Sequence, residues 1–282
     1  MTLSEPVNIV EKPWAVRDLP PFPPIASRVM SLLAREDIGL KELGDTISSD
    51  AVFAGEVLRL ANSALFTRYA EVRSILQALA LVGLERIKGL AFTVAMRGYL
   101  CDAIKIPALQ RCWRHSLACA VVADELADSM YMDRGQAYTA GLMHDIGRVA
   151  LAVAFPCEYA NMIAVCEEHG LSILSTEREL FDIDHCEAGR WLAAEWRLPS
   201  DFAEITGDHH NPDCCTTTIG QLTHLSCRVA DALGFTVSPL ACQESVAQIV
   251  ESLPERMRSS LPSEPMDLSF RVASKVNALD PI

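Results

Sequence analysis

The residues best placed to do chemistry lie in the stretch YTAGLMHDIGRVALA, Tyr138 to Ala152, where His144 is joined directly to Asp145 inside an apolar run rich in small residues. Leu142, Ile146 and Val149 recur at spacings of four and three, so the pattern predicts one helix through the stretch. Neighbouring helical residues point about 100° apart, which lets an imidazole and a carboxylate flank one bound ion. Gly141 and Gly147 lack a Cβ and leave room for a neighbouring helix or a ligand. Arg148, one turn beyond His144, offers a fixed positive charge to an anion or to a nearby carboxylate. His185, His209 and His210 follow. With His144 and Asp145 they make a set of imidazoles and a carboxylate, donors that suit Fe, Mn, Zn or Ni. Ligand count and type favour metal binding over a structural relic. Other residues have plainer readings. His169 and His224 read as hydrogen-bonded structural residues, and Trp113, Trp191 and Trp196 as core aromatics. His115 lies among Cys112, Cys119 and alanines and by itself reads as core. A Cys112–His115–Cys119 zinc site is disfavoured, because one helix face supplies at most two good ligands.

The chain that must position these groups has 282 residues, half of them hydrophobic and 22% charged, which predicts a globular protein of one or two domains. A formal net charge of −13 argues against broad binding to a phosphate backbone, so nucleic acid is a poor candidate partner. No apolar run approaches the roughly 18 residues of a membrane span. The opening MTLSEPVNIVEK lacks the layout of a signal peptide. None of the ten cysteines is spaced as CxxC. The expectation is therefore a bacterial-type cytoplasmic protein with reduced thiols and no membrane contact.

Helical spacing dominates the chain. Residues 1–18 read as a tail or a surface strap, followed by the extended entry LPPFPP. Ile25, Val29, Leu32 and Leu33 predict a helix that stops near Gly39, and Leu40, Leu43 and Ile47 a short second one. Ser49 or Asp50 caps a third, ended by Asn62-Ser63. Ser74 and Gln77 form a capping-box pattern, and Gly83 separates that helix from the next. Further on, His169-Gly170 reads as a helix end, Asp184 with Glu187 as a capping box before His185, and Ser200 or Asp201 as the start of a helix reaching His209-His210. Gln221 to Leu233, Ser245 to Leu253 and Leu268 to Val276 complete the series. Alternating strand patterns are almost absent. The reading is all-α: a tail (1–18), a compact N-terminal helical bundle (19–105), and a second helical domain with C-terminal helices (106–282) packed on it.

The segments LPPFPPIASRVMSLL, LGDTISSDAVFAGEVLRLANSALF and SILQALALVGLERIKGLAF, taken together and in order, resemble the N-terminal half of the HDOD family, the HD-related output domains of bacterial signalling. The likeness continues to about residue 235. It extends to the HD superfamily of metal-dependent phosphohydrolases and its HD-GYP branch, which implies a ligand series of His115, His144, Asp145, His185, His209, His210 and Asp231. That series implies a mononuclear or dinuclear site for a divalent transition metal, with Asp145 and Arg148 as the catalytic pair if there is turnover. Three departures stand out. Arg111 occupies the place of a Glu that dinuclear members carry one turn before the first His. Arg148 replaces the usual Lys after the HD pair, and the GYP signature is missing. The last ligand position falls on Cys227 by the His-x-x-Asp habit after His224, with Asp231 one turn later, and both remain candidates.

Two functions follow as expectations. The first is a signalling module that works by binding a ligand or partner, with a kinase, receptor or regulator acting in trans. The second is a metal-dependent phosphohydrolase acting on nucleotides or cyclic dinucleotides.

Overall fold

The computed structural model describes residues 13–17, 19, 24–33, 35, 37–63, 71–196, 198–238, 244–253, 255–258 and 265–280. Among these residues every regular element is helical and there is no strand. The entry LPPFPP lies almost wholly outside the described residues, as does Cys242.

The first group of helices comprises α1 (Trp14–Arg17), α2 (Pro24–Leu33), α3 (Leu40–Ser48), α4 (Ala51–Ala61), α5 (Ile75–Val82) and α6 (Leu84–Tyr99). Side chains set their ends. The Asp50 carboxylate accepts from Phe53 N at the start of α4, and the Ser74 hydroxyl from Gln77 N at the start of α5. The Ser74 box is only half formed, because Gln77 Oε1 accepts from Arg73 N rather than from Ser74 N. Gly83, at φ 93°, turns the chain between α5 and α6 in a conformation that L side chains rarely adopt. α2 ends at Leu33, short of the Gly39 predicted from spacing. The strap expected at the N-terminus contains the single turn α1. There Trp14 donates from Nε1 to Asp182 Oδ2 at 2.8 Å and packs edge-on against Phe155.

The second group is built around α7 (Pro107–Ala127), whose residues 117–123 are wholly buried. It continues with α8 (Arg134–Met143), α9 (Ile146–Ala154), α10 (Pro156–His169), α11 (Ile173–Phe181), α12 (His185–Glu195), α13 (Asp201–Asp208) and α14 (Thr218–Ala232). α15 (Val246–Ser252), α16 (Glu255–Arg258) and α17 (Pro265–Leu279) follow, and α17 returns onto α7. One hydrophobic core runs through both groups, and α6 lies against α8, where Thr93 Oγ1 and Tyr138 OH are 2.9 Å apart. The Gly170 helix end (φ 65°) and the Asp184–Glu187 capping box form as the sequence predicts.

The helix predicted through Tyr138–Ala152 is two helices. α8 stops at Met143, Asp145 leaves the helical region at φ −98°, ψ 24°, and α9 begins at Ile146. The break lets the Gly141 carbonyl accept from His144 Nδ1 at 2.7 Å. The two glycines serve neighbouring helices. A Cβ on Gly141 would lie 2.7 Å from Cys119 O of α7, and one on Gly147 would lie 2.0 Å from His185 O of α12. The helices that carry the histidines are thereby brought to backbone contact.

Candidate metal centre

Each histidine in the cluster is oriented from its Nδ1 side. His115 on α7 has Nδ1 2.7 Å from Phe235 O, and His144 has Nδ1 2.7 Å from Gly141 O. His209, just after α13, has Nδ1 3.1 Å from Thr206 O. His185 opens α12 and donates from Nδ1 to Glu177 Oε2 at 2.6 Å. Carbonyl and carboxylate oxygens only accept, so a proton sits on Nδ1 in all four rings and Nε2 is the atom turned to the cluster. The four Nε2 atoms converge on Asp145, at 4.0 Å (His115), 3.6 Å (His144), 3.5 Å (His185) and 3.3 Å (His209). His115, His144, Asp145, His185 and His209 are all buried, and His210 is exposed at the rim with its Nε2 3.0 Å from that of His185.

This arrangement calls for a cation. His115 Nε2 and His144 Nε2 stand 3.3 Å apart, a repulsive pairing of lone pairs unless a proton or metal lies between. Asp145 Oδ1 and His209 Nε2 are buried without a hydrogen-bond partner. Donors about 2.0–2.2 Å from one metal sit about 3 to 3.5 Å from each other, and several of these spacings fall in that range. The donor set therefore fits a transition metal. Electrostatics shows the same demand for positive charge. Burial disfavours charge on His115, yet Cys227, Asp231 and Asp145 push it up to about 10. Burial alone would raise the Asp145 carboxyl, but Arg148 and His144 hold it well below the usual carboxylate range.

Arg148 lies inside the site. Its guanidinium donates from Nε to Asp145 Oδ2 at 2.8 Å and from Nη2 to His185 Nε2 at 2.9 Å, with Tyr159 OH at 3.4 Å and Glu177 at 3.9 Å. Burial and Arg148 oppose a second proton on His185 and Glu177 favours it; a guanidinium only donates, so the Nη2 contact calls for a lone pair at Nε2. Burial would raise Glu177, and His185 with Arg148 keeps it lowered. Glu177 also accepts from His185 N at 2.9 Å and from Tyr159 OH.

The remaining candidates separate. Cys227 puts Sγ 3.5 Å from His115 Nε2, on the side of the converging donors. Asp231 stands at the other end of the ring, 3.4 Å from His115 Nδ1. Burial raises the Asp231 carboxyl to about 6, with Cys227 and Asp145 adding to it and His115 opposing. Arg111 is turned to Glu167 of α10 and the Val237 carbonyl, and no contact joins it to the cluster. Sequence reasoning missed Glu177 and Tyr159, which no spacing marks, and passed over Cys119, whose Sγ lies 3.5 Å from His115 Nε2. A cavity of about 370 Å³ leads to the centre, lined by His115, Arg148, His185, His210, Cys227 and Asp231, with Gly170–Leu174 and Thr236–Ser238 at its sides.

The family model of the HDOD domain matches residues 19–212, more than half of the chain. The chain belongs to the HDOD family. An HDOD domain protein of unknown function from Geobacter sulfurreducens superposes with a TM-score of 0.71 at 25% identity, covering 94% of this HDOD chain and 93% of its own. A candidate signal transduction protein from Marinobacter aquaeolei VT8 gives 0.65 at 21% identity, covering 93% of this chain and 60% of its own. An uncharacterised protein of Treponema pallidum is 24% identical over 198 residues, covering 70% of this chain and 38% of its own length. The HDOD chain spans less than half the length of the curated relatives it matches. Among the described residues no single helix is long and apolar enough to cross a membrane.

Proposed function

We propose that this HDOD protein is a regulatory module of signal transduction, whose centre holds one divalent transition metal and works by binding rather than by turnover. The observation that carries the reading is the Arg148 guanidinium, 2.8 Å from Asp145 Oδ2 and 2.9 Å from His185 Nε2. A second metal would need those lone pairs, and a guanidinium does not deprotonate to release them. A single metal is left to the side of the centre where the Nε2 atoms of His115 and His144 stand 3.3 Å apart. Arg148 lines the approach, so an anionic ligand such as a nucleotide or cyclic dinucleotide fits its charge. The state of the centre is read by a partner kinase, receptor or regulator, in keeping with the name of the Marinobacter neighbour.

The competing reading, a metal-dependent phosphohydrolase acting on nucleotides or cyclic dinucleotides, is favoured by the convergence of four imidazole Nε2 atoms on Asp145. Elemental analysis of protein purified without chelator, beside a His144→Ala/Asp145→Ala variant, separates the two. The expected result is about one metal per chain, lost in the variant, and no hydrolysis of a nucleotide and cyclic-dinucleotide panel above the variant's background. Two metals per chain, or turnover that disappears in the variant, would replace the regulatory reading with the hydrolase.

A further inference from the structure

The side of the centre away from Arg148 contains two sulfurs. Cys119 lies one turn beyond His115 on α7, and Cys227 reaches the same point from α14. Both Sγ atoms are 3.5 Å from His115 Nε2, and His144 Nε2 is 3.3 Å from it. All four side chains are buried, and their donor atoms lie within 4.8 Å of one another. A tetrahedral zinc with Zn–S of about 2.3 Å and Zn–N of about 2.0–2.1 Å sets S···N edges of about 3.5 Å and N···N edges of about 3.3 Å. The three spacings around His115 Nε2 match those edges without any movement. Asp145 Oδ2, 3.6 Å from His144 Nε2, already accepts from Arg148 and is a poor competitor.

We infer that the metal sits in a four-coordinate site of two histidines and two cysteines, His115, Cys119, His144 and Cys227, selective for zinc or another thiophilic ion. The inference rests on the reading that the centre holds a metal, and it names which donors form the sphere. It also changes the chemistry. Four protein ligands close a zinc site, whereas a hydrolytic zinc keeps one position for water. Thiolates favour Zn over Mn or Mg, so the metal's identity follows from Cys119 and Cys227 rather than from Asp145. The Phe235 carbonyl, 2.7 Å from His115 Nδ1, then orients a ligand ring, with the Asp231 carboxylate 3.4 Å from the same nitrogen.

The test is cobalt(II) substitution of the full chain, read by absorption, with zinc competition. Expected for the unaltered protein are intense tetrahedral visible bands and a near-ultraviolet thiolate-to-cobalt charge-transfer band, both lost when zinc is added. Cys119→Ser and Cys227→Ser should each weaken that band and lower cobalt affinity by tenfold or more. Cys157→Ser, at an exposed thiol of α10 away from the four, should leave spectrum and affinity unchanged. The unaltered protein alone decides the thiolate question, so a cysteine variant that misfolds does not remove the test. One bound cobalt with no thiolate band would overturn this assignment while leaving a metal centre in place. No bound cobalt or zinc at all would overturn both.

Discussion

Replacing Arg148 with methionine tests whether the guanidinium stands in for a second cation. The substitution keeps an unbranched apolar stem and removes the charge that faces Asp145 and Glu177, carboxylates only 1% and 0% exposed. Glu177 keeps the His185 and Tyr159 donors, so the loss falls mainly on Asp145 Oδ2, which accepts from Arg148 Nε. Removing one partner of a buried ion pair costs about 3–5 kcal/mol, because the other charge is left without compensation. Urea unfolding in chelator should show a loss of that size for Arg148→Met and a smaller one for Arg148→Lys, which keeps a point charge but not the fork. Deleting the guanidinium also frees Asp145 Oδ2 and His185 Nε2 for a metal. Divalent metal at a hundredfold over its Kd should then return about 2.7 kcal/mol to the methionine variant, with a second equivalent bound. The pH dependence has a defined sign. Asp145 is depressed in the folded protein, so its contribution is present above the unfolded value of about 4 and lost as pH falls through the folded value. The gap between Arg148→Met and the parent should therefore narrow in acid. A loss below about 1 kcal/mol, with unchanged metal content, would refute the substitute-cation argument.

Other perturbations probe the scaffold around the centre. Gly147→Ala places a methyl 2.0 Å from His185 O and 2.5 Å from Gly189 N, both backbone atoms, so α9 and α12 must separate. A loss of about 3 kcal/mol and weakened metal binding are expected, whereas Gly98→Ala on α6, with nothing within 4 Å, should stabilise slightly in the same thermal assay. Glu177→Gln removes the charge that receives His185 Nδ1, His185 N and Tyr159 OH. It should cost about 2–3 kcal/mol in urea unfolding, and a value near zero would mean the contacts do not hold His185. Glu125 pairs with Arg271 and Lys275 of α17; burial opposes its charge, yet Lys275 and Arg271 keep its carboxyl lowered. That contribution exists above the unfolded Glu value of about 4.3 and is lost as pH falls through the folded one, so proteolysis within α17 should rise in acid for the parent. Glu125→Gln should show the raised cleavage already at neutral pH.

The fold was legible because capping and periodicity are local. Asp50, Asp184 with Glu187, and Gly170 each mark a boundary through a group a few residues away, and the structure uses all three as written. The break at His144–Asp145 was hidden for the same reason. Leu142, Ile146 and Val149 are buried on either side of it, and a pattern of burial does not register one residue leaving the helical region between them. Glu177 carries no signal of its own, since its partners lie 8 and 18 residues away on other helices.

The last ligand position is the sharpest case. Cys227 and Asp231 are one turn apart on the same face of α14, so sequence spacing allows both to point inward. Four residues advance the helix by about 6 Å, so the two side chains meet opposite ends of one imidazole, and the donor nearer Nε2 can reach the metal position while the other can only steady the ring. Cys227 stands 3.5 Å from His115 Nε2, and Asp231 stands 3.4 Å from Nδ1. Asp231→Asn should therefore shift metal affinity modestly through ring orientation, where Cys227→Ser removes a donor. Equal losses from the two, measured by zinc competition, would mean that Asp231 reaches the metal after all.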